Sequence, residues 1–178
     1  RNETIRKETF INSLFIYNTM ISKEKWAEVI KDFHNKELPK IIPREQEIGF
    51  ERDLRRAVSI IGPRRAGKTY EMFFIISRIR EKYGLDKVLY INFERADLEG
   101  LVSKDLVDML EAYYEVYPSN KGKRIWLFLD EIQNVSEWER FVRTCLDDGI
   151  SVFISGSSSK LLSKEIATSM GGRNISYH

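Results

Sequence analysis

From Gly62 to Tyr70 the chain reads GPRRAGKTY, placing two glycines, two arginines, a lysine and a threonine directly after the apolar run AVSII. The spacing satisfies G-x-x-x-x-G-K-[ST], with a strand pattern before it and a helix pattern after it, the context in which this spacing makes a phosphate-binding loop. A backbone that wraps a phosphate chain must aim successive N–H groups inward. Gly62 and Gly67 supply the dihedral freedom and the close approach that this requires. The helix opening at Lys68 and Thr69 adds unpaired N–H groups and the positive end of its dipole. Lys68 is then within reach of the β- and γ-phosphates, and the Thr69 hydroxyl is placed to ligate Mg²⁺. The candidate nucleotide-binding residues are Gly62, Pro63, Arg64, Arg65, Ala66, Gly67, Lys68, Thr69 and Tyr70. Arg64 and Arg65 raise the local positive potential.

A second chemical feature closes the run RIWLFLDEIQ, where Asp130 and Glu131 follow an apolar strand pattern. Carboxylates at the C-terminal end of a parallel strand emerge in the crevice where open α/β sheets bind ligands. Asp130 is expected to hold Mg²⁺, directly or through water, and Glu131 to orient and polarise the water that attacks a γ-phosphate. A small-molecule kinase must keep water from that phosphate, so Glu131 argues for hydrolysis over transfer to a metabolite. In SVFISGSSSK, Ser157 or its rival Ser155 is a candidate to hydrogen-bond the attacking water or the γ-phosphate. Asn92 and Glu94, in YINFER at the end of the second strand pattern, could face the same crevice, and Arg173 in GGR could reach a nucleotide in its own or a neighbouring subunit.

These residues need a scaffold that brings strand ends together. The strand candidates are AVSII (57–61), KVLYINF (87–93), RIWLFLD (124–130) and SVFIS (151–155), with helical patterns at 69–82, 99–115, 136–147 and 158–168. Each apolar run is too continuous for a half-exposed sheet, and each is followed by a helix long enough to cross back over it. The pattern predicts a parallel sheet covered on both faces. Ahead of it, Trp26, Val29, Ile30 and Phe33 recur at helical spacing with Ser22 at the N-cap position, preceded by a helix through 5–20. LPKIIP at 38–43 ends that pattern, since proline neither continues a helix nor favours one at the residue before it. The expected division is a helical extension at 1–42 and a core at 43–178.

Of the 178 residues 42% are hydrophobic and 31% charged, and the formal net charge is +2, the profile of a globular chain without a general nucleic-acid-binding charge. Arg52, Arg55, Arg56, Arg64, Arg65 and Lys68 do bunch together. The single cysteine, Cys145, excludes a disulfide framework or a cysteine metal site; with no secretory signal, the cytoplasm is the expected compartment. No membrane association is expected, because FINSLFIYNTMI at 10–21 is short for a span and carries polar residues. His34 and His178 are far apart and away from acidic clusters, and Trp126 and Trp138 read as core residues. The start at Arg1 rather than Met, and the stop at SYH, suggest a piece of a longer protein.

GPRRAGKT, YINFE, FLDEIQNVSEWERFVR and ISGSSSKLLSKEIATSMGGR together resemble the prokaryotic and especially archaeal AAA+ ATPases whose core is commonly followed by an uncharacterised C-terminal domain. The resemblance runs from about residue 38 to 178. It implies an α/β, three-layer P-loop NTPase core of the additional-strand type, with strand order 2-3-4-1. Carried over, Lys68 and Thr69 match the Walker A positions, Asp130 and Glu131 the Walker B positions, and Ser157 sensor 1; Arg173 matches the family's GR word. A fifth core strand, a small helical lid and the C-terminal domain are all expected beyond this chain. The implied ligands are ATP, ADP and Mg²⁺, and the implied activity is ATP hydrolysis that moves attached elements against a macromolecule, protein or DNA, with a homo-oligomer in the full-length protein. A nucleotide-dependent regulatory or DNA-associated switch with little turnover is the alternative. ATP over GTP rests on the resemblance and on the lack of an Asn-Lys-x-Asp word.

Overall fold

The computed structural model describes residues 21–39, 48–50, 55–156 and 173–177. The continuous apolar runs form buried strands: β1 (Ala57–Ile61), β2 (Val88–Asn92), β3 (Trp126–Asp130) and β4 (Ser151–Gly156). Between them run α2 (Lys68–Tyr83), α3 (Ser103–Val116) and α4 (Trp138–Asp147). The proposed helix at the N-terminal side is α1 (Lys23–Asn35), and Ser22 caps it by accepting from the Lys25 amide at 3.2 Å. The helix expected at 5–20, the one at 158–168 and the boundary at Pro43 lie outside the described residues.

All strand pairings are parallel and the order is β2-β3-β4-β1-β5, where β5 is Asn174–Tyr177. The order 2-3-4-1 expected for the first four strands is found. The fifth strand, expected beyond the chain, lies inside it and pairs with β1. NISY escapes a search for apolar runs because it is a short edge strand with half-exposed residues; the Ser59 hydroxyl, donating to Asn174 Oδ1 at 2.7 Å, helps tie it to β1.

Strand alternation divides the core in two. Val58, Ile60, Tyr90, Phe128 and Phe153 face α2, which answers with Met72, Ile75, Ile76 and Ile79. Leu89, Leu127, Leu129, Val152 and Ile154 face the other way, onto α3, α4 and the Trp26–Ile30 side of α1. Helices thus cover both faces and every β1–β4 residue is buried or nearly so. Among the described residues no helix is long and apolar enough to cross a membrane.

The edge strand β2 exposes backbone groups that need partners. α1 covers it, and the His34 ring supplies one partner: its Nε2 lies 2.7 Å from the Val88 carbonyl, which can only accept, so Nε2 carries the proton. Nδ1 then accepts from the Tyr117 hydroxyl at 2.6 Å. Burial foremost holds the His34 pKa below its ordinary 6.5, in favour of the neutral ring that this pattern requires.

Two outcomes are expected. Trp26 is fully buried among the core residues, so Trp26→Ala should cost about 3–5 kcal/mol in urea unfolding, a loss that a loosely attached helix would not produce. Because His34 is harder to protonate folded than unfolded, its contribution is present above pH 6.5 and is lost as pH falls below it. Unfolding free energy measured against pH should therefore decline below 6.5, and His34→Gln should flatten that decline.

Candidate functional site

The turn between β1 and α2 closes with the Ala66 amide donating to the Pro63 carbonyl at 3.2 Å. Its third residue, Arg65, has φ 64°, the left-handed value that several turn types demand at that position and that glycine usually supplies. Gly67 has φ 86° and opens α2. Both glycines were expected to provide unusual dihedrals; only Gly67 does. Gly62 is outside the left-handed region, and a Cβ there would meet Ala66 Cβ at an ordinary 3.4 Å.

Lys68 is buried, and its ammonium donates to the carbonyls of Gly62 at 3.2 Å and Pro63 at 3.1 Å. It also lies 3.5 Å from Glu131 Oε1. Thr69, next on α2, donates its hydroxyl to Asp130 Oδ2 at 2.8 Å. The loop and the acidic strand end, some sixty residues apart in sequence, therefore meet at two adjacent positions. Arg64 reaches Glu94 at 3.5 Å in an exposed pair, and Tyr70 stands exposed with its ring edge-on to Phe73.

Strict alternation along β3 would send Glu131 to the face opposite Asp130. The backbone prevents this. Glu131 has φ 55° and ψ 46°, so the chain kinks as the strand ends. The Glu131 amide donates to Ser155 Oγ at 3.1 Å, and Gln133 Nε2 donates to Glu131 Oε2 at 2.6 Å, which holds the turned carboxylate toward Lys68. A left-handed residue other than glycine costs about 1–2 kcal/mol, and the surrounding bonds oppose its relaxation.

Asp130 is fully buried and accepts from three hydroxyls: Thr69, Ser155 and Tyr90, the last at 2.9 Å. Sequence reasoning missed Tyr90. Its position inside an apolar run reads as core, and its ring is indeed core; only the hydroxyl reaches the acid. Burial and then the Asp130 charge push the Tyr90 pKa up, so it stays a donor.

The remaining expectations divide. Ser157 lies outside the described residues, while its rival Ser155 is buried between Asp130 and the Glu131 amide. Asn92 sits beside Asp130 in register, its Oδ1 accepting from the Glu94 amide at 2.8 Å. Arg173 is not brought to the loop. Its carbonyl accepts from the Ala57 amide at the start of β1, about 13 Å of strand from the loop, and its guanidinium pairs with Asp147.

A family model described as AAA domain matches residues 54–178. The chain belongs to the AAA domain family. Membership carries P-loop fold and nucleotide-binding, ATPase-like character, which the meeting of loop and acidic strand end fits. This AAA domain is 41% identical over 163 residues to MJ1544, an uncharacterized protein of Methanocaldococcus jannaschii, covering 89% of this chain and 34% of that protein. An uncharacterized protein of Haemophilus influenzae is 27% identical over 158 residues, covering 88% of this chain and 34% of its own. The AAA domain chain thus spans about a third of the length of these relatives. Among solved structures, that of C. elegans PCH-2 aligns with a TM-score of 0.45 at 12% identity, covering 90% of this chain and 45% of that one.

Ser155 serves two partners at once. Ser155→Ala would leave the Glu131 amide and one Asp130 oxygen short of a bond, and is expected to lower stability by about 1–3 kcal/mol in urea unfolding, against a negligible change for an exposed serine, as in Ser119→Ala.

Proposed function

We propose that this AAA domain binds ATP with Mg²⁺ at the 62–69 loop and hydrolyses it. The observation that supports the reading is the convergence of Lys68 on Glu131 at 3.5 Å and of Thr69 on Asp130 at 2.8 Å. The donor set suits the ion: a hydroxyl and a carboxylate are hard oxygen ligands, as Mg²⁺ prefers. Among the described residues no cluster of three or more His, Cys, Asp or Glu could hold a metal by itself, so the ion would arrive with the phosphates, its usual mode at such sites. Bound there, Mg²⁺ would neutralise charge on the β- and γ-phosphates.

The residues divide the work. Gly62, Pro63, Arg64, Arg65, Ala66, Gly67 and Tyr70 form or flank the loop that would wrap the phosphates, and Lys68 would exchange its bonds to Gly62 and Pro63 for phosphate oxygens. Thr69 and Asp130 would hold the metal. Glu131 would take the proton of the attacking water, with a serine hydroxyl, Ser155 or Ser157, alongside. Burial of Lys68 and Glu131 keeps their charges effective, because little water screens them. At the level of the whole protein, we propose that a core at 43–178 with a helical extension at 1–42 passes nucleotide state to attached elements, a lid included, and to a protein or DNA partner in the cytoplasm, as a homo-oligomer.

The test is calorimetric titration of ATP·Mg²⁺ together with phosphate release. Lys68→Ala is expected to weaken binding at least about 10-fold. Glu131→Gln should bind as tightly as wild type while turnover falls about 10²–10⁴-fold, the range for loss of a general base. Equal affinity of wild type and Lys68→Ala would end the reading.

A further inference from the structure

Asp130 is held from both flanks of its strand. On β4, Leu129 pairs with Ile154, so Ser155 stands directly across from Asp130, where a short side chain suffices to reach Oδ1. On β2 the residue directly across is Asn92, and Tyr90 stands one diagonal step back on the same face. Diagonal neighbours are about 7–8 Å apart, a gap that an aromatic side chain bridges and a serine does not. The Tyr90 hydroxyl accordingly ends 2.9 Å from Oδ2, the oxygen that also takes the Thr69 hydroxyl.

The ring is as firmly seated as the hydroxyl. It stacks on Phe33 of α1 with centroids 4.5 Å apart and packs against Phe73 of α2 at 5.2 Å. The carboxylate thus has one oxygen fixed from β4, and the other fixed by Tyr90 beside Thr69.

We propose that Tyr90 is a positioning residue for the divalent cation: acting through Asp130, it holds Oδ2 beside the Thr69 hydroxyl so that both oxygens are preset for Mg²⁺. The inference rests on the Mg²⁺–nucleotide reading above. A tyrosine that merely filled the core would affect stability and leave metal affinity alone. One that positions a ligand changes metal affinity, and does so only while the Asp130 charge is present to be positioned.

Tyr90→Phe separates the two, since it keeps the stack and removes only the hydroxyl. Mn²⁺ serves as the spin probe, titrated into wild type, Tyr90→Phe, Asp130→Asn and the double variant with saturating ADP, while ADP affinity in EDTA and urea unfolding are followed on the same samples. Tyr90→Phe is expected to weaken Mn²⁺ about 10-fold, in the range for removing a group that orients a metal ligand, with ADP affinity in EDTA unchanged. In the Asp130→Asn background it should add almost nothing. Equal Mn²⁺ affinity in wild type and Tyr90→Phe, or an undiminished loss in the Asp130→Asn background, would overturn the proposal alone. Wild type that takes up ADP but no Mn²⁺ with it would overturn the proposal and the metal part of the functional reading; wild type that binds no nucleotide would overturn both entirely.

Discussion

A carboxylate cannot remain charged in a protein interior unless its oxygens are satisfied, and Asp130 is fully buried. Its three hydroxyl donors come from β2, β4 and α2, so the acid connects two flanking strands and the helix that follows the loop. This constraint sets much else. It constrains which residues can stand at Tyr90 within β2 and at Ser155 near the end of β4, and it brings the first turn of α2 down onto β3. The parallel sheet makes the arrangement possible, because the C-terminal ends of its strands all open to one side.

Next to it stands a pair whose energetics point the other way. Lys68 and Glu131 are both nearly buried, 3.5 Å apart, and removing two charges from water generally costs about as much as their attraction returns, or more. Glu131 also sits in a left-handed conformation. Strain and desolvation concentrated on one residue are what sites accept for chemistry rather than for stability. The cost is carried by the two core layers, in which α2 covers one face of the sheet and α3, α4 and α1 the other.

α1 contributes to both tasks. Trp26, Val29 and Ile30 enter the layer with α3 and α4, while Phe33 crosses to the α2 side and stacks on Tyr90. His34 caps the Val88 carbonyl of the edge strand. A helix that sequence reasoning assigned to an extension is in this way packed one ring away from the residue that bonds Asp130.

The sequence by itself determined the elements that local forces dictate: the buried strands, as unbroken apolar runs, the helices between them, and the glycine-lysine-threonine spacing that makes a loop of amides. Periodicity and turn chemistry act over a few residues, so they are readable in order along the chain. It did not reveal β5, whose four residues gain their place by pairing with β1 rather than by their own apolar character. Nor did it reveal Tyr90, which becomes a partner of Asp130 only through the β2–β3 register, or that Arg173 lies at the far end of β1. Above all, only the tertiary structure decided that Glu131 shares a side with Lys68. Alternation along a strand would have separated it from Asp130, and the backbone kink that reverses this is fastened by Ser155, a residue from another strand.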